Sequence, residues 1–105
     1  MLKIVDLKGQ HLANLHQEPG AGLMLEVIDE QLRPELEAFL EAVRTEPVYL
    51  VSGTHKIEGQ RNTHQTVRKL VRPGEVDFLK GVQDLIARQK VQIGDRRVRG
   101  LLVEP

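Results

Sequence analysis

The alternation of apolar and polar residues along the chain predicts short β-strands separated by two amphipathic helices. Residues 2–8 are predicted to form a first strand, and residues 23–28 form another in which apolar Leu23, Leu25 and Val27 alternate with other residues. A short apolar stretch at 12–15 follows Gly9-Gln10 and is predicted to return against the first strand. The segment 17–22 contains Pro19, Gly20 and Gly22 and is predicted to be a loop.

Two segments show the spacing of a helix that buries one face. The first has apolar residues at i, i+4, i+7, i+8 and i+11, namely Leu32, Leu36, Phe39, Leu40 and Val43. Pro34 then lies near its start, Asp29 is a candidate cap, and Pro47 ends the helical stretch. The second is predicted to open at Pro73 and to bury Phe78, Leu79, Val82, Leu85 and Ile86. Gly81 costs this helix about 1 kcal/mol relative to Ala, so its presence suggests close approach of another backbone.

Between the helices, residues 48–73 are predicted to form a hairpin that reverses at Gly59-Gln60. A Gly at the first loop position supplies the positive φ of a type II′ turn, and this register places His55 opposite His64. One face then carries Val48, Leu50, Val67, Lys69 and Val71 and resembles a core face. The other carries Tyr49, Val51, His55, His64, Arg68 and Leu70, a mixture expected of a face that meets a partner or a groove. A looser loop over 58–62 would shift this pairing.

A further turn at Gly94-Asp95 separates apolar residues 91–93 from the last strand, 96–103, in which Gly100 is a candidate bulge. The order of elements predicts an α+β fold of the form ββ-α-ββ-α-ββ. In this fold a mainly antiparallel sheet carries both amphipathic helices on one face. A chain of 105 residues is expected to form a single domain, residues 1–105.

Composition narrows the possible classes of protein. The absence of cysteine excludes disulfides and thiolate metal sites, and no apolar run is long enough for a signal peptide or a membrane span. We therefore expect a soluble, cytoplasmic protein without membrane contact. Residues 1–47 hold four Lys/Arg and nine Asp/Glu, a net charge of −5, whereas residues 48–105 hold eleven and six, a net charge of +5. A basic second half can mark an anionic partner, although the two halves can also mix over one surface.

Three groups of residues are candidates for chemistry. His55 and His64, as a cross-strand pair, could share a metal ion, although zinc enzymes usually supply three protein ligands. Cations in the second half could contact the phosphates of a nucleic acid or another polyanion, and these are Lys56, Arg61, Arg68, Arg97 and Arg99. Arg97 and Arg99 are predicted to share one strand face, with Arg96 on the other. Ser52 and His55 lie on opposite faces of an extended strand, which argues against nucleophilic catalysis.

The sequence therefore leaves the function open and contains no cofactor-binding motif, so we expect no cofactor. We interpret the chain as a non-enzymatic binding module that forms a homo-oligomer, because we expect exposed strand edges and because the mixed hairpin face carries apolar Tyr49, Val51 and Leu70. One alternative is nucleic-acid or polyanion binding through the basic second half. The other is a metal-dependent enzyme built on His55 and His64.

Overall fold

A computed structural model describes the backbone of residues 1–18, 22–56 and 64–103, together with their side chains outside residues 52–56 and 64–66. The strands are β1 (Leu2–Asp6), β2 (His11–Glu18), β3 (Gly22–Val27), β4 (Val48–Lys56), β5 (His64–Val71), β6 (Gln92–Ile93) and β7 (Arg96–Leu102). The helices are α1 (Arg33–Thr45) and α2 (Phe78–Gln89), and a 3₁₀ turn at Glu30–Leu32 precedes α1. The predicted α+β class is confirmed.

Five strands form a curled antiparallel sheet in the order β3-β2-β1-β7-β6. Its inner face is apolar because alternate residues of paired strands point the same way, so that Leu2 lies opposite Leu15 and Ile4 opposite Ala13. These four residues are fully buried. Together with Leu12 and Leu23 they form part of the core on this side of the sheet.

Helix α1 runs between the two edges of the curled sheet. At its C-terminal end the Arg44 guanidinium donates a hydrogen bond of 3.2 Å to the carbonyl oxygen of Leu23 on β3. Just before its N-terminal end, Leu32 packs beside Gly94 in the turn between β6 and β7. Pro34 lies in the first turn, and the Asp29 carboxylate accepts a hydrogen bond from the backbone N–H of Gln31, as its predicted capping role requires.

Strands β4 and β5 form a separate two-stranded sheet, called the ribbon below. Val48 pairs with Val71 and Val51 with Arg68, which is the predicted register, and the predicted turn at Gly59-Gln60 lies outside the described residues. The register shifts by one residue between Val51 and Gly53. Ser52 is therefore the extra residue of a β-bulge, and the pairing beyond it differs from the prediction.

Helix α2 lies between the ribbon and the five-stranded sheet. A Cβ atom at Gly81 would fall 2.5 Å from Val71 Cγ2 and 3.0 Å from Val48 Cγ1, so glycine lets the ribbon approach the helix closely. On the sheet side, Gln83 Nε2 donates to the carbonyl oxygen of Gly100 at 3.0 Å. Gly100 continues the β1–β7 register without interruption, so the predicted bulge there is wrong.

The start of α2 differs from its prediction at Pro73. Residues between Pro73 and the helix form turns, with Gly74 at φ +99° and hydrogen bonds from Glu75 N to Arg72 O and from Phe78 N to Glu75 O. The positive φ of Gly74 is incompatible with a helix, so α2 begins at Phe78. Gly94-Asp95 does form the predicted two-residue turn, because Ile93 pairs directly with Arg96.

No helix among the described residues combines the length and apolar character needed to cross a lipid bilayer.

Candidate functional site

The structure corrects the pairing of His55 with His64. Beyond the bulge at Ser52, His55 lies opposite Gln65 and His64 lies opposite Lys56. Because one residue of offset exchanges the two faces of a strand, the two histidine positions lie on opposite faces of the ribbon. The direct cross-strand pair on which the metal hypothesis depends is therefore not formed. Among the residues whose side chains are described, no three His, Asp or Glu groups gather in a way that could hold a metal ion.

The predicted basic residues fall on more than one surface. Arg68 is exposed on the ribbon, opposite Val51, on the side that faces away from α2. Arg97 and Arg99 are exposed on the side of β7 that faces away from α2, since strand residues alternate between faces and Gly100, the residue after Arg99, faces Ile86 of the helix. Arg68 thus lies on one side of α2, and Arg97 and Arg99 lie on the other. The side chain of Lys56 and the whole of Arg61 lie outside the described residues.

The outer face of the ribbon is the mixed face that the sequence predicted. It consists of Tyr49, Val51, Arg68 and Leu70; Tyr49 and Leu70 lie directly opposite each other and are 40% and 42% exposed. The inner face is covered at its base, where Val48 and Val71 are buried against Gly81, whereas Val67 and Lys69 further along the same face are exposed. The base of the ribbon therefore has one side in the core, while its other side presents an apolar pair to solvent.

A cleft of about 360 Å³ adjoins this face where α1 ends and the ribbon begins. Tyr49 and Leu70 line it, together with Glu46 and Arg72, and both of these charged residues are exposed. Neither charge forms an ion pair with another described residue. The apolar pair thus has an available anion and an available cation beside it.

The free edge of β4 is covered by side chains of α2. The Asp84 carboxylate accepts a hydrogen bond of 3.1 Å from the backbone N–H of Val51, and Arg88 donates one of 3.2 Å to the carbonyl oxygen of Tyr49. Asp84 and Arg88 are four residues apart and so lie on the same side of the helix. They satisfy backbone groups that would otherwise be open to another strand.

A second candidate lies where the turns of the five-stranded sheet meet, in a group called the turn-end cluster: Asp6, Gln10, Asp29 and Arg96. Arg96 Nη1 lies 3.5 Å from Asp6 Oδ2, 3.4 Å from Asp29 Oδ2 and 2.9 Å from Gln10 Oε1. The side chains of Asp6 and Asp29 are only 8% and 11% exposed. The cluster joins the end of β1, the β1–β2 turn, the segment before α1 and the start of β7.

Both carboxylates of the turn-end cluster also hold backbone. Asp6 Oδ1 accepts hydrogen bonds from the backbone N–H groups of Lys8 and Gln10, at 2.9 and 2.8 Å. Asp29 Oδ1 accepts one from Gln31 at 3.2 Å. Each aspartate therefore fixes its local turn with one oxygen and Arg96 with the other. This arrangement holds the Arg96 guanidinium in place.

Polar clefts open on either side of Arg96. One, of about 350 Å³, is lined by Leu7, Lys8, Asp95, Arg96 and Arg97 as well as by Asp6 and Gln10. The other, of about 400 Å³, is lined by His11, Ile28 and Asp29, among others. Each has an exposed apolar residue at its wall, Leu7 in the first and Ile28 in the second. Arg96 is accessible from this region because its side chain is 33% exposed.

A third group forms a hydrogen-bonded chain on the outer face of β2 and β3. His11 Nε2 lies 2.6 Å from Asn14 Oδ1, Asn14 Nδ2 donates to Glu26 Oε1 at 2.7 Å, and His16 Nε2 lies 3.3 Å from the same oxygen. These contacts, first that with Asn14 and then that with His16, hold the pKa of Glu26 below its ordinary value. This hydrogen-bonded group provides partners for both polar atoms of the buried Asn14 side chain and makes this face of the sheet polar.

Sequence reasoning did not find the turn-end cluster or the polar chain. Asp6 and Arg96 are ninety positions apart, and only the pairing of β1 with β7 brings them together. One local signal was available, since Asp6 and Arg96 both flank a glycine-containing turn. Comparisons with protein-family models, with curated proteins and with solved structures find no match for this chain.

Proposed function

We propose that this chain is a non-enzymatic binding module that self-associates through the outer face of the ribbon. The observation that supports this proposal is the exposure of the directly opposed Tyr49–Leu70 pair at the base of the ribbon, where Val48 and Val71 on the other face are buried. A two-stranded sheet is marginally stable in water unless its apolar side chains are covered. A partner on the outer face would complete that cover.

A second copy of the chain is the partner that the apolar pair and two of the neighbouring charges, Glu46 and Arg72, favour, although the cations Arg44 and Arg68 lie on the same surface. A two-fold axis places a surface against itself, so an isologous interface must be self-complementary. The apolar pair satisfies this condition by contact with its own copy. Glu46 and Arg72, which flank the pair and have no ion-pair partner among the described residues, supply one charge of each sign. Across a two-fold axis, Glu46 of one copy can meet Arg72 of the other.

The size of the face sets the expected affinity. Strands of nine and eight residues, with a rise of ~3.3 Å per residue and a spacing of ~4.8 Å, give a ribbon face of roughly 300 Å². A stable interface buries about 800 Å² on each partner. Even with the adjoining cleft, the surface is small, so we expect a weak dimer with a dissociation constant of about 1 μM or higher.

Sedimentation velocity of the whole chain, from low micromolar to near-millimolar concentration, tests the proposal. We expect the wild type to shift from monomer to dimer over this range. Tyr49→Ser and Leu70→Ser should each keep the chain monomeric because they remove the apolar centre. The matched control is Leu101→Ser, which removes an equally exposed leucine (42%) from the outer face of the five-stranded sheet and should leave the dimer intact. A monomeric wild type at every concentration would contradict the proposal.

Charge reversal tests the geometry of the interface. Glu46→Lys alone should weaken the dimer because it places two cations together across the axis. The double variant Glu46→Lys with Arg72→Glu should restore dimerisation, since the attraction is reversed in sign but kept. Failure of the double variant to recover would mean that these two residues do not meet across a two-fold axis.

A further inference from the structure

The guanidinium of Arg96 combines a fixed position with unused hydrogen-bond donors. All of its contacts with Asp6, Gln10 and Asp29 run through Nη1. Among the described residues, Nε and Nη2 have no acceptor. Nε–H and Nη2–H lie on one edge of the planar group and form the fork that binds an oxyanion by two parallel hydrogen bonds. The protein therefore holds Arg96 by one nitrogen and leaves the two-pronged edge available.

We propose that Arg96, Lys8 and Arg97 form a binding site for a carboxylate in the 350 Å³ cleft at the turn end of the sheet. These three cations line this cleft, whereas Arg96 is the only one of them that lines the cleft on its other side. Asp6 and Asp29 have already oriented the guanidinium, so a ligand does not need to order it. Binding to a pre-ordered group avoids part of the entropic cost of association.

The balance of charge favours a monoanion. Three cations, Lys8, Arg96 and Arg97, stand near three carboxylates, those of Asp6, Asp29 and Asp95. Because these charges balance, the attraction for an anion comes from the guanidinium fork rather than from a net positive potential, and a phosphate dianion would bring a second negative charge towards Asp95 at the cleft wall. A carboxylate carries only one negative charge, and its planar shape matches the guanidinium fork. The ligand class is thus a small monocarboxylate.

The cleft wall also indicates the remainder of the ligand. Leu7 lines the cleft and is exposed, in a turn fixed by hydrogen bonds to Asp6. An apolar body of a few carbon atoms attached to the carboxylate can cover Leu7 while the head group lies on Arg96. A volume of about 350 Å³ is at the lower end of the range of small-molecule sites.

Titration of the whole chain with hexanoate, followed by ¹H–¹⁵N NMR of the arginine Nε–H groups and the backbone amides, tests the proposal. We expect the Arg96 Nε–H signal and the amide signals of Lys8 and Arg97 to shift in a saturable way. Hexan-1-ol, which has the same apolar body without the charge, should leave them unchanged. Inorganic phosphate should bind about tenfold more weakly, since it lacks both the apolar body and the planar shape. Equal shifts with hexanol, or stronger binding of phosphate, would overturn the proposal.

Variants separate binding from folding. Arg96→Lys keeps the positive charge but loses the fork, so hexanoate affinity should fall by about tenfold. Since this change also alters contacts with Asp6 and Asp29, a second variant leaves those contacts untouched: Lys8→Gln with Arg97→Gln. It should weaken hexanoate binding several-fold, whereas the control Arg99→Gln on the same strand should not. Unchanged affinity in the Lys8/Arg97 double variant would refute the assignment, whether or not Arg96→Lys folds.

Discussion

The solvent-facing sides of the five-stranded sheet and the ribbon differ in polarity. The outer face of the sheet carries a polar chain from His11 to His16 in which the buried Asn14 has both of its hydrogen bonds. The outer face of the ribbon carries the apolar pair Tyr49 and Leu70 with no comparable polar chain among its described side chains. The first face also exposes Met24 and Leu101, but these lie on β3 and β7 with two strands between them. On the ribbon the two exposed apolar side chains lie directly opposite each other.

The two sheets also differ in how they are held. The five-stranded sheet is joined by long-range strand pairing and by the turn-end cluster. The ribbon depends on α2, through close packing at Gly81 and the two edge contacts from Asp84 and Arg88. Changes at Gly81 should therefore affect the ribbon most, and changes at Arg96 should affect the other sheet.

We expect the largest effect from Gly81→Val. The new side chain would enter space held by Val71 and Val48, where even a Cβ atom comes within 2.5 Å of Val71 Cγ2. Overpacking of this kind costs about 1–3 kcal/mol, and the small gain in helix propensity over glycine offsets only part of it. The free energy of unfolding, measured by urea denaturation, should fall by about 2 kcal/mol.

The matched control for that substitution is Ala87→Val. It places the same side chain at an exposed position of the same helix, so it should cost only the difference in helix propensity, about 0.5 kcal/mol. If Gly81→Val is as stable as Ala87→Val, the ribbon does not pack against α2 as described.

A smaller effect is expected from Arg96→Met, which leaves Asp6 and Asp29 largely buried without their shared cation. Because Arg96 itself is partly exposed, water reduces the cost of losing it, and we expect the free energy of unfolding to fall by about 1–2 kcal/mol. Arg99→Met on the same strand is the control and should change stability by less than about 0.5 kcal/mol, since its side chain is exposed. Equal effects of the two substitutions would show that the turn-end cluster adds no stability.

The smallest effect concerns Glu26 and depends on pH. The folded state holds the pKa of Glu26 below its ordinary value, so the stabilising contribution of its carboxylate is present above the pKa of the unfolded chain. It is lost as pH falls through the lowered pKa of the folded state. Thermal melts should therefore show Glu26→Gln less stable than wild type at neutral pH, with the difference closing as pH falls below 4.5.

The control for position 26 is Glu18→Gln, at the exposed end of β2, which has no contact of this kind with Asn14 or His16. A difference between wild type and Glu26→Gln that stays constant from neutral to acid pH would contradict the origin that we assign to the lowered pKa.

Local patterns predicted the buried faces of the helices and the burial of Val48 and Val71, because each depends on residues a few positions apart, whereas Val67, predicted on the same face, is exposed. The stripe Phe78, Val82 and Ile86 is buried as expected, and Leu36 and Val43 are buried in α1. Gly81 was read correctly as a point of close approach, since a glycine inside a helix has a cost that packing can offset. The helix start was wrong because Gly74, one residue after Pro73, takes a positive φ.

Long-range choices were not predictable in the same way. The alternation of residues is equally consistent with a ribbon that stays separate and with one that joins a larger sheet. The turn-end cluster requires β1 to pair with β7, which no local pattern specifies. The pairing of His55 with His64 failed for a similar reason: a bulge leaves the alternation of neighbouring residues intact while it moves the partner strand by one position.

The bulge at Ser52 divides the ribbon into a base that packs on α2 and a distal part whose strand pairing is shifted by one residue. Losing or gaining one residue at this point would exchange the sides on which the distal positions lie, without disturbing the contacts of Val48 and Val71 with α2. A single-codon deletion or insertion is therefore a step by which descendants of this chain could present a different set of side chains while they keep the same core.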